Sequence, residues 1–224
     1  MSKFVTPIES LESRTLMSAT SSGGLLNPTI AADRLVVRAD LLKFRADGLA
    51  ANAALLSDRV ALKGDNVKAA TTVTPLITKL HTDVKAMRAS LLQDRLDEKA
   101  NVLKDESAIL LDLRKIILDR HDSAAVAADR VTLKTDRITL QNDMIAGINS
   151  RLATRQSQHD LLVADGAAIL AAANTDPNAS AQLRTDLTTF VNNADAKLST
   201  LETDLTNLAS ARTRLSADLT ASLA

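Results

Sequence analysis

A chain of 224 residues with 27 basic and 27 acidic side chains carries no net charge that would draw it to nucleic acid or to an anionic membrane. It has no cysteine, which removes disulfides, thiolate metal sites and thiol nucleophiles and leaves the redox compartment open. Its aromatic residues are three Phe, so Leu, Ile, Val and Ala must fill any core; such cores suit long helix contacts better than ligand pockets, and no small-molecule substrate is expected.

In chain order, residues 1–27 read as a disordered leader, rich in Ser and Thr and without a helical stripe. They lack the charged head and apolar run of a secretory signal. From Ile8 to Ala19 the sequence is IESLESRTLMSA. Through Leu11, Glu12, Arg14, Leu16, Ser18 and Ala19 this segment resembles the LEPR-XLL motif found near the start of many large planctomycete proteins, several of them surface-exposed or exported. Ser13 stands where that family has Pro, and Met17 where it usually has Leu. The resemblance implies a destination, the cell envelope or exterior, and nothing about the helical body. Without it the chain would be read as cytoplasmic.

A first helix is expected over roughly 28–70, opened by Asn27 as cap and Pro28 at the first helical position. Leu35, Leu42, Leu49 and Leu56 recur every seven residues, with Ala39, Ala46, Ala53 and Val60 four further on, which predicts a heptad seam flanked by Arg38, Arg45 and Arg59. A second helix is expected over 75–120, capped by Thr74 with Pro75 behind it. Its stripe begins Ile77, Leu80, Val84, Met87, Leu91 and continues as Leu96, Leu103, Leu110, Ile117 with Val102, Ile109 and Ile116 beside it.

Aspartates mark the helical phase in the middle of the chain. Asp105, Asp112 and Asp119 are seven apart, as are Asp122, Asp129, Asp136 and Asp143, but the two series are three apart where they meet. That slip predicts a turn at 120–123 with Asp122 or Ser123 as the next cap, the alternative being a stammer within one long helix from 75 to 173. The third helix, 123–173, carries two stripes, Val131, Ile138, Ile145, Leu152 and Val126, Leu133, Leu140. Its segment Ala128 to Asp136 repeats Ser57 to Asp65 with Val60 and Val131 in register. NTDPNAS at 174–180 is a strong turn signal, with Asp176 as cap of a fourth helix over 177–222. There the heptads are clean: Leu187, Ala194, Leu201, Leu208, Leu215 at one position and Val191, Leu198, Leu205, Arg212, Leu219 at the other. Arg212 puts a charge on the seam, where it either fixes register or snorkels to solvent.

No catalytic constellation emerges. His81, His121 and His159 are isolated from one another, and Glu-x-x-His pairs, Gly-rich phosphate loops and nucleophile elbows are absent, so no metal, cofactor or catalytic residue is assigned. The six Asp-Arg dipeptides read as solvated faces that could make interhelical ion pairs. The expected architecture is an all-α, elongated antiparallel four-helix bundle or coiled coil, residues 28–224 forming one domain; the alternative is one helix over 75–173 in an oligomeric coiled coil. The expected function is a non-enzymatic structural or protein-interaction protein of the envelope or cell surface, associating with itself or a partner through helical seams. The alternative is an amphipathic coat for lipid or polymer inclusions. No run approaches the length of a spanning helix, and no integral membrane span is expected.

Overall fold

A computed structural model describes residues 27–65 and 67–222. Four long helices account for nearly all of them: α1 (Pro28–Gly64), α2 (Val73–Leu118), α3 (Ser123–Thr175) and α4 (Ala181–Ala221), with a 3-10 turn at Val67–Ala69 between the first two. The fold is an all-α helical bundle. Among the described residues there is no strand.

The ends of the helices follow local chemistry. Asn27 accepts a hydrogen bond from the backbone N–H of Thr29 at 3.0 Å, and Pro28 opens the helix without an N–H to satisfy. At the 119–122 break the chain turns, and the Asp122 carboxylate accepts from the N–H groups of Ala124 and Ala125. The stammered single helix is thereby excluded, since a capped turn interrupts the backbone ladder there.

Two expected caps are corrected. Asp176 does not cap the fourth helix. It closes the end of α3, while Ser180 caps α4 by accepting from the N–H of Leu183. Thr74 lies inside α2 with its hydroxyl turned back to the carbonyls of Val67 and Ala70. The two differences share a contact: Thr72, which occupies the N-cap position of α2, donates its N–H and its hydroxyl to the Asp176 carboxylate, at 3.1 and 2.6 Å, instead of capping its own helix with its side chain.

The helices pack as an open series, α1 on α4, α4 on α3 and α3 on α2. The two edge helices α1 and α2 do not form a packed pair. At one end a core cluster draws on all four helices, with Leu80, Met87 and Leu91 of α2, Leu162 and Ile169 of α3, Leu183, Leu187 and Leu198 of α4, and Leu62 of α1 against them. At the other end the core belongs to α1, α3 and α4: Val37, Ile148, Leu205, Leu208, Leu215 and Leu219. The α4 heptads are therefore the spine, as their regularity predicts. Arg212 is buried in that seam and donates to the buried Gln141 at 2.7 Å, so it does not snorkel.

The heptad seams expected on α1 and on the second half of α2 are not seams. Leu35, Leu42, Leu49 and Leu56, and Leu96, Leu103, Leu110 and Ile117, are each between 46% and 71% exposed. Each edge helix has one neighbour and so buries one stripe. On α1 that stripe is Ile30, Val37, Leu41, Phe44 and Leu62, and on lower α2 it holds Val102 with Asp105 and Asp112.

Close approach explains two glycines. A Cβ on Gly166 would lie 2.7 Å from Val191 Cγ1 of α4, and one on Gly147 would lie 2.6 Å from Glu98 Cγ of α2. The repeated segments place Val60 and Val131 alike, both exposed.

Candidate functional site

The motif-like residues Leu11, Glu12, Arg14, Leu16, Ser18 and Ala19 lie outside the described residues. The chemistry on the described ones falls into two arrangements: a cleft and a series of facing carboxyls.

The cleft follows from the open packing. Where α1 and α2 diverge above α3 and α4, a cavity of about 850 Å³ remains, opening to solvent between the edge helices. Its floor is aliphatic, with Leu80, Val84, Leu162, Leu170 and Leu198, and two of the three Phe residues, Phe44 and Phe190, line it. A pocket was not expected from so few aromatics; leaving α1 and α2 unpaired with each other makes one whose lining is mainly aliphatic.

Cations surround this apolar floor. Arg155 and Lys197 lie within it, and Arg45, Arg59, Arg88 and Arg95 also line it, against one acid, Asp195. Arg155 is 8% exposed, and its Nε is buried without a hydrogen-bond partner. Lys197 donates to a neutral group, Asn52 Oδ1, at 2.6 Å. The acids nearby are engaged elsewhere, since His159 sits between Asp195 at 2.8 Å and Glu202 at 3.0 Å. Burial, then the neighbouring charges of Arg95 and Arg151, pulls Arg155 below its ordinary pKa against a smaller opposing pull from Glu202. Burial, then Arg88, Arg155 and Arg59, does the same to Lys197. His159 is raised, first by its hydrogen bond to Asp195. Among the described residues, none of Arg59, Arg88, Arg95, Arg155 and Lys197 forms an ion pair.

The second arrangement uses the aspartate heptads. Because α2 and α3 run antiparallel, Asp105, Asp112 and Asp119 of α2 meet Asp143, Asp136 and Asp129 of α3 in turn. Between α1 and α4, Asp33 meets Asp218 and Asp65 meets Asp186. Burial first, then the facing carboxyl, holds Asp33, Asp65, Asp105, Asp129 and Asp136 above the usual carboxylate range. In two more pairs a lysine bridges the carboxylates: Lys43 joins Asp47 to Asp204, and Lys79 joins Asp83 to Asp165. The ion pairs expected of the Asp-Arg dipeptides are thus replaced, at Asp33, Asp119, Asp129 and Asp136, by carboxyls facing carboxyls. The heptad spacing of the aspartates was the signal for this, readable once the two helices are known to be antiparallel neighbours.

Among the described residues no group of three or more His, Cys, Asp or Glu side chains could hold a metal ion, and no helix is long and apolar enough to cross a membrane. His121 is exposed in the α2–α3 turn and accepts from Arg120 Nε, and His81 is exposed on α2. No protein-family model, curated protein or solved structure matches the chain. The class defined by the fold is that of the all-α helical bundles.

Proposed function

We propose that this chain is a non-enzymatic structural or protein-interaction module that self-associates through its edge helices, and that it works at the cell envelope or exterior. The observation that supports association is the pair of exposed leucine series, four residues at heptad spacing on α1 and four on α2. A half-exposed leucine leaves on the order of 100 Å² of apolar surface, so each series presents roughly 400 Å², the size of the largest, often functional, patch on a typical monomer. Together they approach the ~800 Å² per partner of a stable interface. Heptad spacing suits them to a facing helix, whose knobs fit the holes between successive leucines. The location rests on the leader's resemblance to the LEPR-XLL motif.

Sedimentation equilibrium tests the association. The wild-type chain is expected above its monomer mass of 23.8 kDa. A variant with Leu42→Glu and Leu103→Glu, both outside the cleft, is expected at monomer mass with its helical circular dichroism retained. A wild-type protein that stays monomeric at its highest attainable concentration removes the proposal. Protease shaving of intact cells tests the location, and a chain released only after lysis removes that part.

A second reading is favoured by one feature, the apolar end of α2, where Leu110, Leu111, Ile117 and Leu118 are all exposed. Such a face would lie on a lipid or polymer inclusion, although with three Phe and no Trp or Tyr the chain is poor in the aromatic anchors typical of surface-seeking helices. Co-sedimentation with vesicles or granules separates the readings, because a self-associating module stays in the supernatant.

A further inference from the structure

The cleft holds features that an assembly module does not need. An arginine that is more than nine-tenths buried, with its Nε unpartnered, is costly wherever it sits, because a buried donor without an acceptor forfeits its hydration. Arg155 bears this cost while lining a cavity, with Lys197 beside it and four further arginines in the same lining. Of the acids nearby, Glu202 acts on Arg155 through its charge without forming an ion pair with it, and both Glu202 and Asp195 bond the one ring of His159. Six cations line the cleft against one acid, and an anion bound there would redress that imbalance.

The remainder of the cleft specifies what the anion is attached to. Arg155, Arg95 and Arg45 lie toward the end marked by Leu91 and Leu201, and Arg88 and Arg59 act on Lys197 farther along, while the opposite end, at Leu80, Leu170 and Phe190, is closed by the four-helix core cluster. From Leu201 back to Phe190 along α4 the rise is about 16 Å at ~1.5 Å per residue, the reach of an alkyl chain of about a dozen carbons. The volume lies within the range of small-molecule sites, and a flexible aliphatic chain fills an aliphatic trough without needing aromatic walls.

We propose that the cleft binds one molecule of a single-headed anionic amphiphile, its carboxylate or phosphate held by Arg155 and Lys197 and its chain lying against Leu80, Val84, Leu170 and Phe190. The head would give Arg155 the acceptor it lacks and offset the mutual repulsion of the cations, and a charge-assisted pair in a water-poor site is stronger than its exposed counterpart. The tail would bury apolar surface left uncovered between α1 and α2. This goes beyond the assembly proposal and does not depend on it.

Isothermal titration calorimetry on the full chain, repeated on the Leu42→Glu/Leu103→Glu variant so that oligomeric state cannot decide the result, tests the proposal with dodecanoate, dodecyl phosphate and dodecanol below their aggregation limits. Saturable one-to-one binding of at least one anion is expected, with dodecanol at least tenfold weaker, and the stronger anion identifies the head as carboxylate or phosphate. Arg155→Met and Lys197→Met keep the apolar stems and should each weaken the anion about tenfold. If Arg155→Met fails to fold, Lys197→Met, at a partly exposed position, carries the test. Absence of saturable binding of both anions, dodecanol binding as tightly as the anions, uptake of many molecules per chain, or unchanged affinity in the folded variants would overturn the proposal.

Discussion

Leu205 shows how much one position on α4 carries. It is fully buried where α1, α3 and α4 meet, with Leu208 and Ile148 in the same cluster. Leu205→Asp would place a carboxylate there with no cation to pair it, and should cost about 3–5 kcal/mol in a chemical denaturation experiment. Unchanged stability would mean that α4 is not the spine of the bundle. Arg155 and Arg212 make the opposite point about buried charge. Both occupy the interior, but Arg212 lies in a packed seam and donates through Nη1 to the side-chain oxygen of Gln141, whereas Arg155 lines the open cleft. From sequence alone Arg212 was conspicuous because it interrupts a leucine series. Arg155 was not, because nothing along α3 reveals that two other helices diverge above it.

At the scale of elements, the tie between the two connections at one end of the bundle is the most specific device. Asp176 accepts from Thr72 in the α1–α2 connection and from the N–H of Asn178 in the α3–α4 connection, while Arg184 binds the carbonyls of Ala173 and Asp176. These hydrogen bonds, the one from the Thr72 side chain first, hold the Asp176 carboxyl below the usual range. Asp176→Ala removes the acceptor from both connections at once and should lower the melting temperature by about 5 °C. Hydrogen exchange should quicken at Thr72 and Asn178 in that variant. If neither changes, the two connections are independent. The tie was illegible in sequence: NTDPNAS announces a turn, but the acceptor's partner lies a hundred residues earlier.

The whole molecule should respond to pH through its facing carboxyls. Asp33, Asp65, Asp105, Asp129 and Asp136 bind their protons more tightly in the folded chain than in the unfolded one. Their stabilising contribution is complete below the ordinary carboxyl pKa and is lost as pH rises through the raised values. His159 acts in the same direction nearer neutrality. Asp47, Asp83 and Asp176 are lowered, and their contribution is lost only as pH falls through values below the ordinary range. The melting temperature should therefore rise as pH falls from neutrality toward the ordinary carboxyl pKa, and drop only in acid stronger than that. Lys104 and Lys115 on α2, and Arg214 on α4, moderate the repulsion without cancelling it. Asp105→Asn gives one pair a permanent donor, which should stabilise the protein at neutral pH by about 1 kcal/mol and flatten its profile. A flat wild-type profile would show that the carboxyls do not face one another in solution.

By itself the sequence determined the class of fold, the helix boundaries marked by proline and turn residues, and the α4 spine, because period, capping and proline position act within a few residues of one another; whether 120–123 was a turn or a slip within one helix was left to the structure, which caps it with Asp122. The tertiary structure decided which of several equally regular stripes was buried. On α1 the leucine series and the Ile30–Val37–Phe44 series are both heptads, and only the placement of α4 selects between them. It also decided that Asp series on adjacent helices would face each other, and that α1 and α2 would stand apart and leave a cation-lined cleft. A stripe's regularity states that a helix has a face, but the partner that covers it is a property of the other helices.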